Sequence, residues 1–471
     1  MNDVVKGSES QLAHERSFAR DLAEQLVQAA KKAGAEACDA TVGISSSLSA
    51  KARDGEVEDI TRSNSRAAGI RVIIDGRLGF ATSAQCPTTP EEVEALALDA
   101  LELAQISTAS DANVLPLATA LTGDELEKRV RNLQLSDDAI FEVKAEWATE
   151  NALLMERVVS GTKGVDTVRD CSAGSRYGVF ALASSNGFAG DYSATSAHLS
   201  ASAVAKDGEH KKQVESEWDA SRFLNKLDAA EGIAKSAAEK VLQRLGAKKI
   251  ASTRAPVLFD PACARTFLGA MLGAINGESV ARGASFLSEA QHQKVWIPGH
   301  AIVDNPLIPG AFGSQPFDGE GLEVQATPLF DDEGKLLTFL NDARSAKRLG
   351  VKPGGHASRG SMGLPSPSSS NVVVQGGAGD LASLIKETER GFLVTHLLGH
   401  SPNGITGEYS RGAAGFWIED GAIAFPVEEL TIAGTMKEMM LGIDRMCDDA
   451  EDRSSHRIGS LRFAELAISG T

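Results

Sequence analysis

Six short turn signals set the frame of this chain. Asp54-Gly55, Asp75-Gly76, Asn186-Gly187, Asp207-Gly208, Glu333-Gly334 and Asp420-Gly421 are its hairpin signals. A two-residue hairpin needs positive φ, which Gly, Asn and Asp tolerate best. The clearest case has Ile70-Arg71-Val72-Ile73-Ile74 before Asp75-Gly76 and Leu78-Gly79-Phe80-Ala81 after it. Hairpins join antiparallel strands, so the pattern argues against a doubly wound parallel sheet.

Helical stretches bracket these hairpins. Ser8 to Ala33 carries Phe18, Leu22, Leu26 and Ala29 at helical spacing, with Gly34 as a stop. Thr89-Pro90-Glu91-Glu92 opens a second helix, with Thr at the cap, Pro in the first turn and Glu three residues on. Asp111 to Gln134 has little periodicity and reads as an extended connecting arm. The order then repeats. A long helix runs from after Ser136-Asp137-Asp138 to Ser160, strands follow, and a helix closes the unit from Ser221 to Leu245. The predicted fold class is α+β. Repeated helix–antiparallel strands–helix units span 8–110 and, with the connector, 111–250, followed by a strand-rich C-terminal domain over 251–471. In that domain Pro261 to Asn276 reads as a helix with Phe267, Met271, Leu272 and Ile275 on one face. The Gly-, Pro- and Ser-rich loop Val351–Asn371 is long for a compact domain. It reads either as a functional lid or binding loop or as plain disorder.

Charge narrows the partners. Asp plus Glu number 64 against 47 Lys plus Arg, a net charge of −17, and Lys211-Lys212 and Lys248-Lys249 extend into no basic stripe. Direct nucleic-acid binding is therefore not expected. No apolar run approaches the ~18 residues of a membrane helix. Met1 to Glu9 lacks the apolar core of a signal peptide. Five scattered cysteines (Cys38, Cys86, Cys171, Cys263, Cys447) read as free thiols of a reducing compartment, so a cytoplasmic location is expected.

Three constellations carry possible chemistry. His396 and His400 are four apart, the spacing of zinc-binding histidines on a helix, but no Glu follows His396 and the flanks read as strand and loop. Phe317-Asp318-Gly319-Glu320-Gly321 with Glu323 gathers three carboxylates in a Gly-rich turn, as an acid–base or cation site or as caps for backbone amides. Ser383-Leu384-Ile385-Lys386 matches the Ser-x-x-Lys form without its companion motifs. There is no Walker A loop, GxSxG or HExxH.

Longer ordered motifs point further. Gly277-Glu278-Ser279-Val280-Ala281-Arg282-Gly283-Ala284-Ser285-Phe286-Leu287 comes first. Asp304-Asn305-Pro306, the 317–321 turn and Leu340-Asn341-Asp342-Ala343-Arg344-Ser345-Ala346 follow. Last comes Leu398-Gly399-His400 with Thr406-Gly407-Glu408-Tyr409-Ser410-Arg411-Gly412-Ala413-Ala414-Gly415-Phe416-Trp417-Ile418-Glu419-Asp420-Gly421. Together they resemble the TldD/PmbA family over nearly the whole chain. TldD-like members carry a His-Glu-x-x-x-His zinc motif, and PmbA-like (TldE) members lack it and pair with a TldD-type subunit. Placed on the helix before Gly277, the motif falls at Gly269, Ala270 and Ala274. The family's late metal-ligand Cys is also missing, since the matching stretch reads Arg457-Ile458-Gly459-Ser460.

The resemblance thus implies the PmbA branch: the subunit of a TldD/TldE-type metallopeptidase without a metal of its own. Zinc is expected in the TldD-type partner, and an unfolded peptide is the expected substrate. Candidate peptide-binding residues are His396, His400, Asn403, Arg411, Asn371, His356, Arg359, Asp318 and Glu320. Two alternatives stay open. One is a non-catalytic homodimeric regulator of the modulator-of-gyrase type. The other is an independent hydrolase built on the His pair and the acidic turn.

Overall fold

The computed structural model describes residues 2–117, 121–209 and 211–470, and of residues 2–10 the backbone only. Met1 and residues 118–120 of the expected arm lie outside the described residues. The first unit runs α1 (Asn2–Lys32), β1 (Ala37–Arg53), β2 (Glu56–Ile74), β3 (Arg77–Ser83) and α2 (Pro90–Ile106). α3 (Gly123–Leu133), α4 (Asp138–Phe141) and α5 (Ala145–Ser160) lead to β4 (Thr167–Ser184), β5 (Ala189–Lys206), β6 (Lys212–Ser221) and α6 (Ala230–Gln243).

The hairpins form as their turn residues dictate. Asp54, Gly55, Asp75 and Gly76 all have positive φ, the mirror-image turn that matches strand twist. The helix-opening signal is equally direct: Thr89 accepts the Glu92 N–H while the Glu92 carboxylate accepts the Thr89 N–H. β1 pairs antiparallel with both β2 and β4, so all six strands form one sheet in the order β3-β2-β1-β4-β5-β6.

Alternation along β1 then assigns the faces. Cys38, Ala40, Val42 and Ile44 join α1 and α2 in one alanine-rich core. Ala50 joins a second such core with α5 and α6. Asp39, Thr41 and Gly43 point to the opposite face, toward the C-terminal domain.

Three local expectations need correction. The arm contains the helix α3, whose Leu126 packs with Leu182, Phe188 and Phe317. The long helix is broken into α4 and α5, with Lys144 extended before α5. The closing helix starts only at Ala230. Asp137, Ser221 and Asp219 accept the N–H groups of Leu224, Phe223 and Asp228, and so hold that segment in turns instead.

The C-terminal domain begins with β7 (Thr253–Phe259), α7 (Pro261–Ala274), α8 (Gly277–Ala281), β8 (Ile302–Asp304), β9 (Thr327–Phe330) and α9 (Ala343–Leu349). β10 (Ala357–Ser358), β11 (Ser366–Pro367), β12 (Val372–Val374) and α10 (Leu381–Lys386) follow. The last elements are β13 (Arg390–Leu398), β14 (Glu408–Glu419), β15 (Ala422–Thr435), α11 (Met436–Leu441), β16 (Ile443–Met446), β17 (His456–Arg457) and β18 (Leu461–Ser469). Its main sheet runs β15-β14-β13-β7-β18-β16, and a further β15–β18 pairing closes five of these strands into a ring. α7 packs Phe267 against Phe259 and Phe463 in a large aromatic core. The fold is α+β, as expected, with the strand-rich part at the C-terminal end. Among the described residues, no helix is long and apolar enough to cross a membrane.

Candidate functional site

The C-terminal domain meets the first sheet along a buried charged contact. Arg71 on β2 donates from Nε to Asp39 Oδ1 on β1 at 3.1 Å and forms a second bond from Nη2 to Asp39 Oδ2. Its Nη1 donates to Glu320 Oε1 at 3.0 Å. Arg359, from the 351–371 loop, donates from Nη1 to the same Asp39 Oδ1 at 2.7 Å. Its Nε donates to Gly363 O, and its guanidinium lies 5.8 Å from the Phe80 ring centre. All four side chains are at most 4 % exposed.

Two arginines and two carboxylates balance the charge of this contact, as a buried network requires. Burial alone would raise the Asp39 carboxyl, but Arg359 and then Arg71 outweigh it and hold it below the usual carboxylate range. Glu320 is raised, because burial there exceeds the pull of Arg71 and of the Ala343 N–H.

The acidic turn serves the backbone. Asp318 accepts N–H groups from Glu320, Leu322 and Ala357, and burial together with the Glu320 charge pushes its carboxyl up to about 7. Glu323 accepts from Arg129 of α3 at 2.5 Å. Three carboxylates that lie close in sequence thus point to three different partners.

The loop is a tethered segment. β10 and β11 pair within it, Arg359 anchors it, and Ser361 O accepts from Thr41 at 3.3 Å. Ser361 sits so close to β1 and β2 that a Cβ on Gly43 would meet its side chain at 2.7 Å, and one on Gly69 its carbonyl at 2.4 Å. Beside it opens a cavity of about 480 Å³ between sheet face and C-terminal domain, lined by Ser45, Ser65, Arg176, Tyr192 and Phe312.

The remaining candidates lie elsewhere. His356 is buried without a partner on Nδ1, and burial lowers it to about 4. Asn371 is buried, accepting from Gly313 N and donating to Asn305 O and Ser314 Oγ. His396 ends β13 and bonds Glu215, Arg244 and Thr395. His400 stands exposed in the loop after β13, so the pair is not on a helix face. Asn403 caps its own turn through the N–H groups of Ile405 and Thr406. Arg411 is buried on β14 and reaches Leu397 O and Gly399 O at 3.4 Å. Ser383 caps α10. Among the described residues, no group of three His, Cys, Asp or Glu side chains is placed to hold a metal ion.

Sequence reasoning missed Asp39 and Arg71. The signal was present, since each is the one charge in an otherwise uncharged stretch, Ala37–Val42 for Asp39 and Ala67–Ile74 for Arg71. It also missed Glu215 and Arg244, which bond His396 across the domain boundary.

On α7, Gly269 and Ala270 are partly exposed, with open space where a Gly269 side chain would project, and Ala274 is buried. None of the three offers a ligand atom.

Comparison with known proteins follows this geometry. Family models match as PmbA/TldA metallopeptidase domain 1 over residues 38–104, its central domain over 136–245 and its C-terminal domain over 252–470. The chain is 30 % identical over 465 residues to Metalloprotease PmbA of Escherichia coli O157:H7, covering 98 % of each. A solved Bacteroides thetaiotaomicron structure, under the heading of a modulator of DNA gyrase, superposes with a TM-score of 0.86 at 26 % identity, covering 96 % of this chain and 98 % of that one. TldE from Thermococcus kodakarensis shares the fold, with a TM-score of 0.82 at 21 % identity over 95 % and 100 % of the two chains. The chain belongs to the PmbA/TldA metallopeptidase family, on its PmbA/TldE side.

Proposed function

We propose that this chain is the zinc-free subunit of a cytoplasmic TldD/TldE-type metallopeptidase complex that degrades or processes unfolded peptides. One observation carries the reading. At the place in α7 where TldD-type chains have His, Glu and His, this chain has Gly269, Ala270 and Ala274. Zinc does not fit there, because binding needs imidazole, thiolate or carboxylate donors. A TldD-type partner supplies the metal and the activated water.

This chain's part is to hold the peptide. The cavity beside Ser361 suits an extended chain: hydroxyls of Ser45 and Ser65 bond peptide groups, and Arg176, which has no ion-pair partner among the described residues, meets a carboxylate. The exposed ring of His400 is available for the same purpose. Asp318, Glu320, Arg359 and Asn371 act indirectly, by fixing the walls.

Co-expression with the TldD-type protein of the same organism tests the reading. Expected are a co-purifying complex, peptide cleavage only in the mixture, and substoichiometric zinc in this chain alone. Cleavage by this chain alone, or one tightly held zinc per chain, would sink it.

A further inference from the structure

The helix-covered face of the first sheet contains a polar gap. Along β1 this face carries Val42 and Ile44 in the first alanine-rich core and Ala50 in the second. Between them stand Ser46 and Leu48. β4 follows the same rule, with Val179 in one core, Ala173 in the other, and Ser175 and Tyr177 between. Ser46 faces Tyr177 and Asn64, and Leu48 faces Ser175 and Arg62, so these side chains share one face of the sheet. α1 and the α4–α5 connection roof the gap and leave a cavity of about 290 Å³.

One group in this cavity is unusual. Glu15 of α1 is 5 % exposed, and its Oε2 has no hydrogen-bond partner among the described residues. Its Oε1 lies 3.4 Å from Gln11 Nε2 and 3.8 Å from Arg66 Nη2. The Tyr177 phenol hydrogen-bonds the Glu15 carboxylate, and burial, then the Glu15 charge, raise it, which leaves Oε2 as the oxygen without a donor. A buried carboxylate oxygen calls for a donor. At the rim, the exposed Arg62 has no carboxylate partner among the described residues. The opposite wall is apolar, made of Ile140, Val143 and Phe141, whose ring stacks 5.0 Å from Tyr177.

A buried carboxylate, a free guanidinium at the mouth and an apolar wall form a complementary set. They match one ligand class, an ammonium and a carboxylate on a carbon that also bears an apolar side chain. We propose that this cavity binds a free α-amino acid with an apolar side chain, its ammonium on Glu15, its carboxylate toward Arg62 and its side chain against Ile140 and Phe141. The cavity lies on the opposite face of the sheet from Arg359 and the Ser361 cavity, so the site stands apart from the peptide reading above and does not depend on it.

Calorimetric titration of the full chain with L-leucine, L-methionine and L-phenylalanine tests the site. At least one of them binds once per chain. For that amino acid, the N-acetyl and the carboxamide derivatives each bind at least about tenfold more weakly. Glu15→Gln, which keeps the side-chain size, weakens binding at least about tenfold. Arg62→Ala weakens the free amino acid but leaves the carboxamide unchanged. If Glu15→Gln does not fold, Arg62→Ala at the exposed rim decides alone. Absence of binding by all three amino acids at millimolar concentration, or wild-type affinity in Arg62→Ala or in a folded Glu15→Gln, would overturn the proposal.

Discussion

On its helix side the first sheet presents Cys38, Ala40, Val42 and Ile44 from β1, and on its other side Asp39, Thr41 and Gly43 from the same strand. The helix side coheres through small apolar side chains, a non-directional attraction that grows with area. The domain side coheres through a few directed bonds and through glycines that let the loop approach. One strand thus joins two neighbours by different physics. The apolar side tolerates shape-preserving change, whereas the polar side depends on each partner being present.

The contrast makes its largest prediction at Asp39. Asp39→Ala leaves two buried guanidiniums without their shared carboxylate and costs about 3–5 kcal/mol in denaturant unfolding. Replacing Asp39, Arg71, Arg359 and Glu320 together by apolar residues of similar size should recover most of that loss. A quadruple variant no better than Asp39→Ala would remove the distinction between the two faces. On the apolar side, Leu26→Ala, in a fully buried position on α1, should cost about 2–4 kcal/mol through a cavity alone.

Protonation sharpens the comparison next. His356 titrates near 4 in the folded chain against 6.5 when free, so the unfolded chain binds the proton more readily. Its contribution is complete above pH 6.5 and is lost as pH falls through 4. Asp304 and Asp318 are raised by burial to about 7, so they act with the opposite sign and cost stability as pH rises toward 7. The stability difference between wild type and His356→Leu, followed by urea unfolding across pH, isolates the histidine. It should move in favour of the variant by about 3 kcal/mol as pH drops through that window. A flat difference would refute the assignment.

The smallest effect is steric. Gly43→Ala should cost about 1–3 kcal/mol, because the new methyl meets the Ser361 side chain. Ser361→Gly should rescue it. The same rescue should fail for Gly69→Ala, where the obstacle is the Ser361 carbonyl.

Legibility in sequence follows the same divide. Asp54-Gly55 and Asp75-Gly76 turn as read, and the Thr89–Glu92 capping box forms in both directions, because each signal is local. α3 escaped because a helix with so few apolar residues shows no periodicity until Phe188 and Phe317 supply something for Leu126 to pack on. The charged contact escaped for a different reason. Arg71 meets Asp39 across 32 residues, Glu320 across 249, and Arg359 meets Asp39 across 320. No spacing rule reaches that far, although a single Asp and a single Arg in otherwise uncharged stretches of their strands marked half of it. The candidate residues, chosen by chemical type, included Arg359 and Glu320 but not the strand partners that hold them.

The closed ring of the C-terminal domain has a consequence for how the chain is made. β7 pairs with β18, Phe259 opposite Leu461, so two neighbouring strands are synthesised some two hundred residues apart. At ribosomal speed that interval is about 10–40 s. Throughout it β7 waits with an open hydrogen-bonding edge, joined near the end by β15, which is the condition under which nascent sheets pair with the wrong chain. The first sheet has a shorter delay, because the open edge of β1 is covered by β4 about 145 residues on, where Asp39 pairs with Ser184. The ring that gives the finished domain few free edges is therefore also the part of the molecule most in need of protection at birth.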